Sequence, residues 1–226
     1  MGTIPGWYSP VLHLAVPTVV VLGVMAGALS RLGSPGLLDW LTVPLTLTGA
    51  FAFEWRVHKS VLHRRTRGLD LLYERHELAH HVIYTYDDMT MRSRREWWLV
   101  LMPAYAVVLV ALVDIPLTFG VGLVFGRDAG CLYLATSMFF FLTYEWLHLA
   151  YHLPQDSFVG RIGLVGRLRE LHRRHHDPRL MKRWNFNVTI PAFDVVHRTL
   201  WSPEREARDD ARRAERRRRR EAESHG

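Results

Sequence analysis

The sequence predicts an all-α protein: an integral membrane four-span helical bundle with a cytosolic helical cap that carries a histidine-rich dimetal site. Three observations lead there. Long apolar runs alternate with strongly charged segments along a 226-residue chain that is 49% hydrophobic. Ten of the thirteen histidines fall into four compact sets, at or just beyond the ends of those runs. Of the 29 Lys and Arg residues, 27 lie in two segments, 54–96 and 153–226.

Pro10–Ser30 is the first apolar run, interrupted by His13 and Pro17. A helix needs roughly 20 residues to cross the hydrocarbon core, and this run is long enough. No positively charged segment precedes it, so Val11–Ser30 reads as a retained span and not as a cleaved signal. Arg31-Leu32-Gly33-Ser34-Pro35-Gly36 makes a tight turn. Leu37–Phe53 then leads back and becomes polar at Glu54, Arg56 and His58.

Trp97–Phe125 is the third apolar stretch, broken by Asp114 and Pro116. It is either one tilted, kinked span or a span followed by a short re-entrant segment. Gly126–Gly130 is the next turn, and Cys131–Ala150 the last span, aromatic-rich through Phe139, Phe140 and Phe141. The lone cysteine, Cys131, excludes an internal disulfide framework and reads as a core or lipid-facing residue. Residues 1–200 form one membrane-embedded domain. Residues 201–226 form a charged tail with seven arginines between Arg212 and Arg220. That tail is a disordered end, a helical extension or a binder of anionic lipid heads.

Four crossings put the N-terminus, the 54–96 loop and the C-terminal region on one side. The segment 54–96 holds nine Lys and Arg and 153–226 holds eighteen; the turns at Arg31 and Arg127 hold the other two. By the positive-inside rule the histidine-bearing side and the C-terminus are cytoplasmic. The bias of 27 Arg against 2 Lys points to a GC-rich bacterial genome, and so to the bacterial plasma membrane.

The four sets are His58 and His63, spaced HxxxxH; His76, His80 and His81, spaced HxxxHH; His148 and His152, spaced HxxxH; and His172, His175 and His176, spaced HxxHH. Residues five apart lie about 140° apart on an ideal helix. His58 and His63 therefore flank a site, or the helix end is distorted. His76 and His80, one turn apart, can meet one metal, while His81 points in an adjacent direction. Histidines absent from 97–147 but crowded elsewhere, near a bilayer where ionisable groups are costly, point to metal binding. Ten imidazoles exceed what one ion takes and suit two. Imidazole suits iron, copper, zinc and nickel alike, so ligand type does not choose the metal. Ligands at span ends and not at the bilayer midplane argue against a transporter, which leaves a non-catalytic metal-binding membrane protein as the alternative to an enzyme.

These four boxes, spread over a four-span chain, resemble the fatty acid hydroxylase/sterol desaturase superfamily. Glu54-Trp55-Arg56-Val57-His58, Tyr144-Glu145-Trp146-Leu147-His148, Trp184-Asn185-Phe186-Asn187-Val188-Thr189 and Phe193-Asp194-Val195-Val196-His197-Arg198-Thr199 are similar to segments flanking the family's boxes. The likeness covers roughly residues 37–200. Two positions depart from it: the second box has three residues before its His pair, and His197-Arg198 stand where the family has an apolar residue and glycine. The resemblance implies a non-haem centre of two iron ions held by the ten histidines, using O2 as co-substrate to hydroxylate, or alternatively desaturate, a C–H bond of a membrane lipid. It places the implied substrate among fatty acyl, sterol-like and carotenoid molecules.

Metal-bound imidazoles usually donate their second N–H to an acceptor. Glu145 and Asp194 are the carboxylates expected there. Asn185 and Asn187 either add a carbonyl, orient a water or serve as turn residues. No flavin, dinucleotide or haem-binding motif occurs, so a separate ferredoxin- or reductase-type donor must supply electrons. A basic surface around Arg64, Arg65 and Arg92–Arg95 suits an acidic donor. The net charge of +7 comes with no nucleic-acid-binding motif, and nucleic acid is not an expected partner.

Overall fold

A computed structural model describes residues 4–224, and the last two residues of the expected tail lie outside them. The described residues are all-helical, with no strand. Helix α1 spans Pro10–Leu29, capped by the Ser9 hydroxyl, which accepts from Leu12 N–H, and opened by a proline at its first position. Helix α2 spans Leu37–Val57. The Asp39 carboxylate reaches back to Gly36 N–H at 2.7 Å. Three short helices follow, α3 (Asp70–Arg75), α4 (His81–Ile83) and α5 (Trp97–Val100), and then, after a break at 101–103, the long α6 (Ala104–Phe125). The third apolar stretch is thus a short helix followed by one continuous helix that runs through Pro116, with no re-entrant segment.

Helix α7 (Arg127–Tyr151) is the centre of the bundle, with α1, α2 and α6 packed around it. The turn between α6 and α7 is shorter than the sequence suggests. Gly126 alone makes it, at φ 101°, and Arg127–Gly130 already form the first turn of α7. Gly130 is where the helices approach most closely: a Cβ there would meet Gly122 Cα and Thr118 O at 3.0 Å. At the same end Asp128 accepts from Gly33 and Ser34 N–H at 3.0–3.2 Å, tying the α1–α2 turn to α7. Midway, Asp114 of α6 accepts from the hydroxyls of Tyr133 and Ser137 on α7.

The expectation of four spans needs correcting. Four long helices stand where the four apolar runs are, but among the described residues only Pro10–Leu29 and Val107–Phe125 are long and apolar enough to cross a membrane. The reason is packing. Helix α7 buries residues along its length against three neighbours, among them Glu145 and His148, while Arg127 stands exposed at its start. Helix α2 carries Asp39, Glu54 and Arg56, and buries the second of these. The outer helices are apolar on their outward faces: Val16, Val19, Leu41, Leu45, Leu112, Phe119 and Leu123 are all exposed.

Beyond α7 lie α8 (Gly163–His175), α9 (Ala192–Val196) and α10 (Pro203–Glu223). Helix α8 stops ahead of Asp177-Pro178, as proline requires of the residues before it. The tail is a helix, started by Ser202 and Pro203. It is anchored by Arg183, whose guanidinium pairs with Asp209 at 2.5 Å and Asp210 at 2.7 Å.

Candidate metal centre

All ten histidines of the four sets are buried. Nine form two groups within which the ligand nitrogens all lie within 4.8 Å of one another. His58, His63, His76, His81 and His175 make the first group, and His80, His152, His172 and His176 the second. His148 stands beside the second, with its ring centroid 4.9 Å from those of His80 and His172 and its Nε2 buried without a partner. The groups adjoin, since His81 stacks on His176 with centroids 4.1 Å apart. No carboxylate belongs to either group.

The chain reaches this arrangement by distorting two helices. His58–Leu62, continuing α2, and His76–His80, continuing α3, are π-helical turns. A π turn bonds residues five apart, so side chains at i and i+5 come to the same face, which an α-helix would splay. His58 joins His63 in this way, and His76 joins His81. The pairing expected for the second box, His76 with His80, is therefore replaced: His80 points into the other group. The fourth box also divides, His175 going to the first group while His172 and His176, one α-turn apart, go to the second.

Six of the rings have their protonation fixed by what their Nδ1 touches. His58 bonds Phe186 O, His80 bonds Leu99 O at 3.0 Å and His152 bonds Met89 O at 2.9 Å. His175 bonds Trp184 O at 3.0 Å, His176 bonds Tyr84 O at 2.6 Å, and His63 bonds the Glu77 carboxylate. A carbonyl only accepts, so Nδ1 carries the proton in each. Burial, with repulsion among neighbouring rings, holds the imidazoles of His58, His80, His152, His175 and His176 well below the usual histidine range. They are neutral, and each presents a bare lone pair at Nε2.

Those lone pairs face one another. The Nε2 atoms of His63 and His175 are 2.9 Å apart, and those of His80 and His176 are 3.2 Å apart. With both members of each pair protonated at Nδ1, no hydrogen is left to place between them. A cation satisfies such a pair, and among the described residues no group does. Ligand nitrogens about 2.1 Å from one ion, at tetrahedral or right angles, stand about 3.0–3.4 Å apart. The remaining Nε2 contacts, His58–His76 at 2.9 Å, His76–His81 at 3.1 Å, His172–His176 at 3.0 Å and His152–His172 at 3.3 Å, fall close to that spacing. The residues present thus fit two metal ions.

The shell behind the rings differs from the expected one. Among the described residues, neither Glu145 nor Asp194 bonds a histidine. Glu145 accepts from Met102 N–H at 3.1 Å. Asp194, whose pKa burial raises against the pull of its hydrogen bonds, accepts from Phe186 and Asn187 N–H at 2.9 and 2.8 Å. It therefore acts at one remove, holding the carbonyl of Phe186 on His58. The carboxylate that does touch a ring is Glu77. Burial opposes its ionisation, but hydrogen bonds from His63 and Lys182 outweigh burial and keep it below the usual carboxylate range.

Asn185 and Asn187 are turn residues that meet backbone groups. Asn185, at φ 56°, donates to Leu171 O and accepts from Trp201 N–H. Asn187 donates to Phe51 O and to Glu54, and accepts from Phe193 and Asp194 N–H. Together they hold 184–189 as a strap behind the first group. Glu54 is the residue sequence reasoning passed over: its carboxylate accepts from Val188 N, Thr189 N, Thr189 Oγ1 and Asn187 Nδ2. An acid four residues before a histidine box, at the end of an apolar run, was the available signal. The carbonyls of Tyr84, Met89 and Leu99 carry none, because any residue supplies a carbonyl. At Arg198, where the resemblance has glycine, φ is 56°, a conformation glycine enters freely.

Comparison with protein-family models, with curated proteins and with solved structures gives no match.

Proposed function

We propose that this protein is a membrane-embedded non-haem di-iron oxygenase that hydroxylates a C–H bond of a lipid, drawing electrons from a separate ferredoxin- or reductase-type donor. The observation that carries this reading is the pair of adjoining, carboxylate-free groups of neutral imidazoles whose bare Nε2 atoms converge. Two irons bound there would supply, with O2, the oxidising power toward an unactivated C–H bond that no side chain has. The choice of iron over other imidazole-loving metals rests on the likeness of the four histidine boxes and their flanking segments to the hydroxylase/desaturase superfamily.

The chain's own residues position and protect. Carbonyls of Tyr84, Met89, Leu99, Trp184 and Phe186 fix the ring tautomers, and burial keeps the rings unprotonated and ready to bind. The apolar outward faces of α1 and α6 support membrane embedding, since exposed surface of that extent on a water-soluble monomer is rare. The Lys and Arg excess on 54–96 and 153–226 supports a cytoplasmic metal site in a bacterial plasma membrane.

Metal analysis of detergent-purified protein, paired with lipid profiling of cells with and without the gene, tests the proposal. About two irons per chain and a new hydroxylated lipid are expected. A new double bond in place of a hydroxyl assigns the desaturase alternative, which needs the same residues. Folded protein that binds no metal sinks both.

A further inference from the structure

A cavity of about 190 Å³ lies between α8 and the stretch ahead of it, 154–162. One wall is a single face of α8, where Gly166, Arg169, Glu170 and Arg173 recur at intervals of three and four residues. Gln155 and Gly160 make the other wall. About 10–15 Å³ of such space already holds a water, so a phosphate-sized group fits with water to spare. Gly166 keeps the α8 wall open, since a Cβ there would meet no atom within 4 Å.

Arg169 is the unusual member of this lining. It is only 5% exposed, and an arginine is seldom buried without an anion beside it. Its guanidinium donates to Leu153 O at 2.8 Å and to Thr90 Oγ1 at 3.2 Å, both neutral, and its Nε is buried without a partner. Among the described residues no carboxylate pairs with it, and the charge that bears on it is a second cation, Arg173. The one carboxylate on the cavity wall, Glu170, is taken by Arg173 at 2.7 Å and by Arg174 at 2.9 Å. Three guanidinium groups against one carboxylate leave a local excess of two positive charges. Gln155, exposed on the opposite wall, adds amide donors. Beside the cavity, Phe158 and Ile162 of the loop and Leu164 of α8 are exposed apolar side chains.

We infer that this cavity binds a phosphate group, with Arg169 as its principal counter-ion. The guanidinium fork matches phosphate oxygens, and an excess of two charges suits a phosphomonoester, close to a dianion at neutral pH, over a carboxylate. The head group of an anionic lipid and a free phosphate compound share this chemistry. The lipid source rests on the membrane reading above. On that reading the cytoplasmic boundary falls at the end of α7, directly ahead of the cavity, and Phe158, Ile162 and Leu164 meet the acyl region while the head group alone enters. The phosphate site itself depends neither on the metals nor on their chemistry.

Calorimetric titration of the full-length, zinc-loaded protein in neutral micelles tests this without turnover. The probes are inorganic phosphate, dihexanoyl phosphatidic acid and dihexanoylglycerol, which lacks the phosphate. Inorganic phosphate should bind at one site, and phosphatidic acid roughly tenfold or more tightly than dihexanoylglycerol, the worth of a charge-assisted hydrogen bond. Arg169→Gln should weaken both phosphate probes by roughly tenfold or more, and Arg169→Lys should keep part of the affinity. Gly166→Leu fills the cavity, leaves every charge in place and suits a helix, so it should remove phosphate binding from a folded protein. Phosphatidic acid bound roughly tenfold tighter than inorganic phosphate, with Phe158→Ser removing the gain, assigns a lipid head group. Equal affinities for the two assign a free phosphate compound. No saturable phosphate binding overturns the inference and leaves Arg169 a brace between Thr90 and Leu153. Binding that survives both Arg169→Gln and Gly166→Leu, as phosphate held at the metals would, overturns it too. If Arg169→Gln does not fold, Gly166→Leu decides. Metal content of the same preparations is read separately and bears on the di-iron reading alone.

Discussion

Glu54→Gln should loosen the metal site from a distance. The Glu54 carboxylate meets four donors and no acceptor: Val188 N at 2.6 Å, Thr189 N at 2.9 Å, Thr189 Oγ1 at 2.6 Å and Asn187 Nδ2 at 2.9 Å. Glutamine keeps one acceptor oxygen for the two backbone N–H groups and turns its NH2 toward the Thr189 hydroxyl, which can reverse to accept, and toward Asn187 Nδ2, which cannot. One buried donor left unsatisfied costs about 1–3 kcal/mol. In a chain of this length about 1 kcal/mol moves the melting temperature by about 2–4 °C, so a drop of at least about 2 °C is expected in detergent. The strap released by this change carries the Phe186 carbonyl that holds His58. Metal affinity should therefore fall by about tenfold or more, as when outer-shell partners of other metal sites are removed. Thr189→Val supplies the internal check. It removes one donor, so it should cost less in the Glu54→Gln background than in the unaltered protein. A Glu54→Gln melting temperature within about 2 °C of the parent, with unchanged metal affinity, would refute the clamp.

The division of ligands gives a counting experiment. His175→Ala and His172→Ala each weaken a different group, so each should lower metal content from about two ions per chain toward one, and the double variant lower still. His148→Ala should abolish product while membrane insertion persists; full turnover would remove His148 from the ligand set. Glu77→Ala leaves the His63 Nδ1–H without its partner and should lower metal affinity about 10–100-fold, measured by competition with a chelator. Stripping both metals should lower the melting temperature, because facing lone pairs lose the cation between them, and re-addition should restore it. Gly130→Val drives a side chain into Gly122 and Thr118 of α6 and should cost about 1–3 kcal/mol in thermal stability with little effect on metal content.

Much of the fold and the whole set of histidines were legible because they repeat a pattern. Apolar runs bounded by Gly, Pro and charge gave α1, α2, α6 and α7, and the box spacings gathered ten histidines that are all buried together. Which ring joins which group was not legible. Ideal α-helical geometry sets His76 beside His80, and only a π turn exchanges His80 for His81. Nothing in His-Glu-Leu-Ala-His-His announces that turn. The span count failed for a related reason. Hydropathy measures a helix one at a time, whereas α7 owes its polar residues to the three helices that cover it. Glu145 and Asp194 were well placed along the chain, but a carboxylate's partner depends on which backbone amides the fold leaves open, and those belonged to Met102 and the 186–187 strap.

The two π turns also explain why the HxxxxH spacing and the dimetal arrangement belong together. Each turn gives up regular α-helical bonding, and each does so at a helix end, immediately after α2 or α3. Alternative rotamers on an undistorted helix would leave one ring of each pair turned away, with a buried nitrogen and no partner. The distortion costs less than that only if both rings have something to bind. Since six rings already give their Nδ1 proton to a carbonyl or carboxylate, their converging Nε2 atoms are left able to accept a cation. On the proposed reading, metal binding and the local backbone are coupled. Deletion of one residue between His58 and His63 sets them i, i+4, a spacing that a regular α-helix brings to one face; that variant should keep its metal content without the π turn, and loss of an ion would refute this account of the turn.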